Sequence, residues 1–351
     1  MLERMSTVTW SAVTPVDPVS DLKWLELARA HGSLFTSPPW LGALRDTYDV
    51  EIEAWLTRDR HGAATGGVPF ARLGDGRWRR LCSLPFSDYC NPIDVDGSSW
   101  PDVSQWLLSE GLPVEIRHLG ESDATVDRLF EGASPPDLWH GVNLDVDEDR
   151  AWSALPGSAR RAIRKARGAG VQVRVTRDAS SLRAFYELHL GTRKHKYRLL
   201  AQPFSFFVAL QERFGDGLAL IGAWHGGDLI AGILLLTWAD TLYYKFNASS
   251  PAALEVRPND LLMWEATRFG VASGLNTLDL GRTDSDHESL ARYKSKYATV
   301  EKPIRTIRAG TFGRDPAIAA VLGTLTELLT RPDVPDHITE EAGNLVYRHF
   351  A

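Results

Sequence analysis

The sequence predicts an α+β (mixed α/β) protein made of two domains that share one plan. Its 351 residues exceed the usual size of one domain and fit two of ordinary size. In each half, helical patterns come first, an antiparallel meander follows, and a helix and a strand end the pattern. Hairpins mixed with single helical crossovers are typical of sheets that carry helices on their faces. The pattern restarts near residues 147–150, which predicts domains at residues 1–148 and 149–351.

The first half is predicted to alternate strands with three helices. Its first helix has Ser20 or Asp21 as N-cap, followed by apolar residues at helical spacing. The segment Gly74-Asp75-Gly76 marks a hairpin between two strands. The predicted helices are residues 21–30, 39–48 and 100–110, and the predicted strands are residues 8–13, 50–58, 65–73, 78–83, 113–119 and 139–146.

The second half is predicted to begin with helices and to continue with a three-stranded meander. Two tight junctions, Gly226-Gly227-Asp228 and Ala239-Asp240, are short enough for hairpins, and Gly274 is a C-terminal helix cap. The predicted helices are residues 152–168, 179–194, 203–214, 258–273 and 316–330, and the predicted strands are residues 171–176, 218–225, 229–239, 241–247, 277–280 and 302–309.

The composition excludes several classes of function. A net charge of −6 means that the chain as a whole is no polyanion binder, so any nucleic-acid contact must use a local basic patch. Cys82 and Cys90 have no metal-site spacing and are too few for a disulfide framework, so we expect free thiols and no metal. No apolar run predicts a signal peptide, and no stretch reaches the ~20 apolar residues that span a bilayer. We therefore expect a cytoplasmic protein.

Polar residues are concentrated where three elements of the second half begin or end. This concentration is more typical of a site than of a packing surface, although helix starts and ion-paired loops produce similar patterns. The residues are Tyr244, Lys245 and Asn247 at the end of one strand, Arg257 and Asn259 at a helix start, Asp279, Arg282 and Thr283 at the end of the next strand, and Lys294 and Lys296 in the loop that follows.

Strict alternation along the strand at residues 241–247 would separate these polar side chains onto two faces. Tyr244 would share a face with Phe246, and Lys245 would share the other face with Asn247. A lysine in a central strand is unfavourable unless its ammonium is hydrated or paired. The pattern therefore favours Lys245 and Asn247 on the face of a cleft.

An ordered set of motifs covers most of the chain. The first half contains LPFSDY at residues 84–89, and the second contains SARRAIRKA at 158–166, LYYKFNA at 242–248, RPNDLLMW at 257–264, DLGRT at 279–283 and RYKSKY at 292–297. In this order the motifs resemble the Fem-type transferases, the two-domain branch of the GNAT acyltransferase superfamily. The long helical-hairpin arm of Fem enzymes that build interpeptide bridges has no counterpart here, which favours a compact member of that branch.

The resemblance implies two tandem GNAT-like domains, each a mostly antiparallel sheet flanked by helices, with a cleft between them. The domain at residues 1–148 would bind the acceptor, and the domain at 149–351 would bind the acyl donor and catalyse transfer. The donor would be an aminoacyl-tRNA, a co-substrate rather than a cofactor. The product would be an amide on the amine of a small molecule, natural product or cell-wall precursor.

The resemblance and the polar pattern together suggest roles for named residues. Lys294 matches the family's motif lysine and would stabilise the oxyanion, while Asp279 and Lys245 would position reacting groups. Asp88 and Tyr89 match the family's acceptor loop. Further substrate-binding candidates are Tyr244, Asn247, Asn259, Arg282 and Thr283; the basic residues expected to contact tRNA are Arg160, Arg161, Arg164, Lys165, Arg193, Lys194 and Lys296.

Two alternatives stay open. Acyl-CoA could be the donor, but the loop at residues 248–259 lacks glycine, Pro258 removes one N–H, and Glu255 places a like charge near any phosphate. The fold could also serve a non-catalytic binding module. The basic runs could be solvated helix faces, and Asp279 could simply pair with Arg282 to hold a loop.

Overall fold

The fold is built around one mixed sheet, which confirms the predicted α+β class. The computed structural model describes residues 13–95, 97, 99–120, 136–311 and 315–350. The strand predicted at residues 8–13 lies outside this range except for Val13. Within the described residues, no helix is long and apolar enough to cross a membrane.

The elements of the first half follow the predicted order. Asp21 caps the first helix, because its carboxylate accepts a hydrogen bond from the Trp24 amide at 2.8 Å. Ser37 caps the second, and Pro38 occupies its first turn. The helices are α1 (Leu22–His31), α2 (Pro38–Tyr48) and α3 (Ser99–Ser109), and the strands are β1 (Thr14–Val16), β2 (Glu51–Arg58), β3 (Ala64–Leu73), β4 (Arg80–Cys82), β5 (Ile93–Asp94), β6 (Val114–Leu119) and β7 (Asp137–Asn143).

The second half contains the predicted elements and two further helices near its end. The helices are α4 (Glu148–Ala154), α5 (Gly157–Gly168), α6 (Ala179–Gly191), α7 (Phe204–Phe214), α8 (Pro258–Ala272), α9 (Glu288–Ser295), α10 (Pro316–Leu329) and α11 (Asp336–Val346). The strands are β8 (Gln172–Thr176), β9 (Leu218–His225), β10 (Asp228–Trp238), β11 (Thr241–Ser249), β12 (Thr277–Thr283) and β13 (Val300–Ala309).

Three local features differ from the prediction. Pro156 splits the helix expected at residues 152–168 into α4 and α5, because it holds Leu155 in an extended conformation. The helix expected at residues 179–194 leaves α-geometry after Gly191 and continues as a π-helical turn at Thr192–Lys196. The segment that carries Lys294 was expected to be a loop, but it is helix α9.

The sheet joins the two halves by exchanging strands. Its order is β1-β2-β3-β4-β6-β13-β7-β12-β11-β10-β9-β8, with β5 paired to β3. Strand β7 of the first half lies between β12 and β13 of the second half, and β13 pairs in turn with β6 of the first half. The division at residues 148 and 149 remains a prediction, and the sheet continues across it.

The largest hydrophobic core also crosses between the halves. It combines Phe35 and Trp40 of the first half with Phe206 and Phe207 of α7. A second core lies between the sheet and helices α5 and α8, and a third lies beneath α3. Burial of these large side chains at a shared core holds the loops of both halves in fixed positions.

A cleft opens where two central strands separate. Strands β11 and β12 pair in parallel only from Thr241 with Thr277 to Tyr243 with Asp279. Beyond this point β11 continues to Ser249 beside β10, while β12 continues to Thr283 beside β7. The polar residues that end both strands therefore border the opening between them.

Candidate active site

The cleft between the halves contains a cavity of about 770 Å³. Its first-half wall includes Ser87 and Asp88, from the loop after β4. Its second-half wall includes Lys245 and Asn247 of β11 and Arg282 of β12. This volume lies within the range of roughly 300–1,000 Å³ typical of small-molecule sites. The cavity is therefore large enough for a substrate held by both halves.

An ion pair between Lys245 and Asp88 connects the two halves at the cavity wall. Lys245 Nζ donates a hydrogen bond to Asp88 Oδ1 at 2.9 Å. The ammonium also lies 4.8 Å from the ring centre of Phe35 and 5.0 Å from that of Trp40. Burial is the largest single influence and tends to raise the pKa of Asp88, but the charge and hydrogen bond of Lys245, together with the charges of Lys294 and Arg282, lower the pKa on balance. Asp88 is therefore a carboxylate.

Asp279 is a second carboxyl group, buried beside the first. The Tyr89 hydroxyl donates a hydrogen bond to Asp279 Oδ2 at 2.8 Å, and the Gly281 amide donates one to Oδ1 at 2.6 Å. Burial, together with the nearby Asp88 charge, outweighs these bonds and raises the pKa of Asp279 to about 6. Asp279 is mostly ionised at pH 7 and is basic enough to accept a proton from a substrate.

Lys294 projects from α9 into the same buried region. Its ammonium donates hydrogen bonds to the carbonyl oxygens of Arg282 at 2.8 Å and Gly281 at 3.2 Å. Burial lowers its pKa to about 8, although the charges of Asp88 and Asp279 oppose the shift. Lys294 is therefore mostly a buried cation at pH 7, available to stabilise a developing negative charge.

Gly281 allows these groups to approach one another. Its φ of +72° lies in the left-handed region, and a Cβ at this position would lie 2.7 Å from Asp88 Oδ2. Its amide and carbonyl also contact Asp279 and Lys294. The sequence interpretation did not assign a role to this residue; the glycine within the DLGRT motif was the available signal.

Because β11 contains a bulge, the prediction of which of its side chains share a face of the sheet is wrong. The register between β10 and β11 shifts beside Lys245, so Lys245 and Phe246 both lie in the aromatic core that contains Phe35. Asn247 turns to the other face, where its amide donates to Asn259 Oδ1 at 3.3 Å. Tyr244 packs on that same face, against the second core between the sheet and helices α5 and α8. Lys245 and Asn247 both border the cavity, as expected, but from different sides of the sheet.

The other predicted substrate-binding residues surround this centre in different ways. Arg282 pairs with Asp284 at 2.6 Å and Asp137 at 3.6 Å rather than with Asp279, so the simple Asp279–Arg282 loop pair is wrong. The Thr283 hydroxyl is buried and has no hydrogen-bond partner among the described residues. Asn259 connects Asn247 to the start of α8.

Part of the basic run at residues 160–167 lines a second cavity, of about 390 Å³. Arg161 and Lys165 of α5 face it together with Arg257 and Lys296. The ammonium of Lys296 contacts the Asp260 carboxylate. In the part of the chain that the structure describes, Arg161, Lys165 and Arg257 are exposed and have no carboxylate partner. These four residues form what we term the basic α5–α8 cleft.

The remaining basic residues of α5 have structural contacts. Arg164 lies over the ring of Trp152 at 5.8 Å, and Arg167 pairs with Glu265 at 2.9 Å. Among the described residues, Arg160 reaches only the Ser153 carbonyl, at 3.5 Å. Arg160, Arg164 and Arg167 are not among the residues that line the basic α5–α8 cleft.

The basic run at residues 193–198 is exposed except at Lys194 and, in part, Arg193. Lys194 was expected to contact tRNA, but its side chain is only 1% exposed. Its ammonium donates to Asp336 Oδ1 at 2.7 Å and to the Val334 carbonyl at 2.5 Å. The buried ammonium thus fastens the C-terminal segment to the turn after α6, so the assignment of Lys194 to tRNA is wrong. Arg193 instead lines the central cavity.

Among the described residues, one group of possible metal ligands lies beside the cleft. Asp284, Asp286 and His287 place ligand atoms within 4.8 Å of one another. Arg282 already pairs with the Asp284 carboxylate, and the side chains of Asp286 and His287 are exposed. This cluster alone does not indicate a metal site.

Comparisons with known proteins agree with this geometry. Residues 157–295, which contain Lys245, Asp279 and Lys294, match the family model for the acetyltransferase (GNAT) domain. No curated protein matches the chain.

Solved structures with a similar fold include three that cover nearly the whole chain. A crystal structure of FemX has 14% identity and a TM-score of 0.68, covering 91% of this chain and 100% of its own. L-PGS from Bacillus licheniformis has 14% identity and a TM-score of 0.55, with coverages of 89% and 98%. A tandem GNAT protein from the clavulanic acid biosynthesis pathway has 13% identity and a TM-score of 0.54, with coverages of 87% and 99%. Residues 157–295 therefore match a GNAT domain, and the fold of the whole chain is similar to that of FemX and of a tandem GNAT protein.

Proposed function

We propose that this GNAT-family transferase is an aminoacyltransferase that moves an amino acid from aminoacyl-tRNA to the amine of a small molecule. The observation that carries the proposal is the buried group of Asp88, Asp279, Lys245 and Lys294 at the point where β11 and β12 separate. Such a group supplies a base and a cation beside a cavity, which is what aminolysis of an ester requires.

The reaction needs a neutral amine and a stabilised oxyanion. Asp279, with a pKa near 6, would accept a proton from the acceptor ammonium. The amine nitrogen would then attack the ester carbonyl carbon, and Lys294 would stabilise the negative oxygen. As the tetrahedral intermediate collapses, the bond from that carbon to the ribose oxygen breaks. The second amine proton finishes on the ribose hydroxyl, and the product is an amide.

The basic α5–α8 cleft supports tRNA as the donor. Within the described residues, it presents three charges without a carboxylate partner beside Lys296, those of Arg161 and Lys165 on α5 and of Arg257 at the start of α8. Cations of this kind bind phosphodiester groups, with an affinity that falls as salt increases. The loop that precedes α8 is a 3₁₀ turn at Pro251–Val256, and Arg257 follows it in a left-handed conformation. This segment has no glycine whose amides would hold a CoA pyrophosphate.

Acyl-CoA remains the second candidate donor because the matched family model is that of an acetyltransferase domain. A label-transfer assay separates the two donors. We expect a labelled amino acid to pass from charged tRNA to an amine in a cell extract, and RNase pretreatment to abolish transfer. Transfer that survives RNase, or that requires acyl-CoA, would overturn the proposal. Lys294→Met tests the catalytic role of Lys294. Lys23→Met, at an exposed residue of α1, is the control for the loss of a lysine charge.

A further inference from the structure

The wall of the central cavity carries an excess of positive charge. It contains six cationic side chains and two carboxylates. The cations are Arg80, Arg117, Arg193, Arg282, Arg308 and Lys245, and the carboxylates are Asp88 and Glu115. His189 also lines the wall, but burial lowers its pKa to about 4 and keeps it neutral at pH 7.

Three of these cations already have carboxylate partners. Lys245 pairs with Asp88 at 2.9 Å, and Arg282 pairs with Asp284 at 2.6 Å. Arg308 pairs with Glu115 at 2.8 Å, and Arg117 lies 3.9 Å from the same carboxylate. The positive charge that Arg193 and, in part, Arg117 leave on this concave wall attracts ligands of the opposite sign.

Two arginines from different halves are placed to bind such a ligand. Arg117 of β6 uses Nη1 to bind the Ser87 carbonyl at 2.8 Å, directly before Asp88. Arg193 lies in the π-helical turn, where its Nε donates to the Leu200 carbonyl at 3.1 Å. Within the described residues, Arg193 has no carboxylate partner. Single-turn π-helices within α-helices are frequent at functional sites, and here the turn directs Arg193 to the cavity.

We propose that the acceptor carries an oxyanion, a carboxylate or a phosphate, in addition to its reactive amine. Arg117 and Arg193 bind the oxyanion, because a guanidinium binds both groups through paired hydrogen bonds. The amine then lies toward Asp88 and Asp279. The inference rests on the proposed function for the identity of the reacting amine. The preference for an acceptor with an oxyanion can be measured without any acyl donor.

Calorimetric titration without tRNA tests the binding preference. The carboxylate pair of probes is phenylalanyl-glutamate against phenylalanyl-glutamine amide, and the phosphate pair is phosphoethanolamine against ethanolamine. We expect the anionic member of at least one pair to bind roughly tenfold more tightly, as expected for a charge-assisted hydrogen bond. The pair that shows the preference identifies the oxyanion.

Variants connect this preference to the two arginines. Arg193→Gln and Arg117→Gln should each remove most of it, Arg193→Lys should retain part of it, and the exposed control Arg60→Gln should leave it unchanged. Thermal unfolding of each variant verifies that it is folded. Equal binding within both probe pairs, or a preference that survives in both glutamine variants, would refute the inference. A retained preference without transfer from charged tRNA would instead refute the proposed donor.

Discussion

At the scale of residues, the central feature is a buried pair whose pKa values shift towards neutrality. Burial raises the pKa of Asp279 to about 6 and lowers that of Lys294 to about 8. Both groups are therefore charged between about pH 6 and pH 8. Asp279 loses its charge below this range, and Lys294 loses its charge above it. Perturbed values of this kind beside a cavity favour a catalytic site over a structural ion pair.

These shifts predict a bell-shaped dependence of kcat/KM on pH. Activity should fall below about pH 6, as Asp279 becomes protonated and stops accepting a proton, and above about pH 8, as Lys294 loses its charge. Asp279→Asn should lower kcat/KM by roughly 10²–10⁴-fold and abolish the acidic limb. Asp286→Asn, at a carboxylate whose side chain is 83% exposed, serves as the control. An acidic limb that persists in Asp279→Asn would show that another group titrates there.

Gly281 gives a second prediction at this scale. Gly281→Ala should cost about 1–2 kcal/mol through its left-handed backbone, and the new Cβ should also displace the Asp88 carboxylate. We expect loss of acceptor binding, measured as a raised KM, together with a lower unfolding temperature. Gly226→Ala is a matched control, because Gly226 has a φ of +64° and open space around a Cβ. Equal effects of both variants on KM would contradict the role of Gly281.

At the scale of elements, local sequence patterns predicted most helices and strands but not the features that orient the site. Asp21 and the Gly226-Gly227 turn have clear local signals, and the predicted elements occur there. The bulge at Lys245 has no local signal, because it depends on how β11 pairs with β10. Helix α9 has no side-chain cap, and tertiary contacts of Lys294 help to hold it. Burial of Lys194 depends on a segment about 140 residues away in sequence.

The two basic segments should therefore respond differently to mutation. Lys194→Met should lower the unfolding temperature, because it removes the hydrogen bonds of a buried ammonium to Asp336 and to the Val334 carbonyl, and should leave tRNA affinity unchanged in the folded protein. Arg161→Gln combined with Lys165→Gln should leave the unfolding temperature unchanged. The double variant should weaken tRNA binding roughly tenfold and reduce its salt dependence by about two phosphate contacts. Filter binding over a salt series measures both quantities. Loss of affinity in folded Lys194→Met would restore that residue to the tRNA surface.

At the scale of the whole molecule, two halves with similar element orders form one sheet and share one large core. The sequence predicted the repeated plan and a boundary near residues 147–150, because the order of elements is a local property. It could not predict the exchange of β7 and β13, since pairing between strands distant in sequence leaves no local pattern. The exchange helps to fix the loop containing Asp88 against β11 and β12, and so supports the cleft.

The strand exchange predicts that separate chains of residues 1–148 and 149–351 do not fold independently. Without the second half, β7 loses β12 and β13, and β6 loses β13. Without the first half, β13 loses both of its partners. Each chain would expose unpaired strand edges and part of the shared aromatic core, which favours aggregation.

Circular dichroism and hydrogen exchange measure the outcome. The intact protein should unfold in one cooperative transition, with protected amides in β7 and β13. Each separate half should have no cooperative transition, whereas refolding the two halves together should restore both the transition and the protection. Because the cleft also requires Asp88 from one half and Lys245 from the other, acceptor binding should return only in the refolded pair. A first half that unfolds cooperatively alone, with protected amides at residues 137–143, would mean that β7 has a stable partner within its own domain.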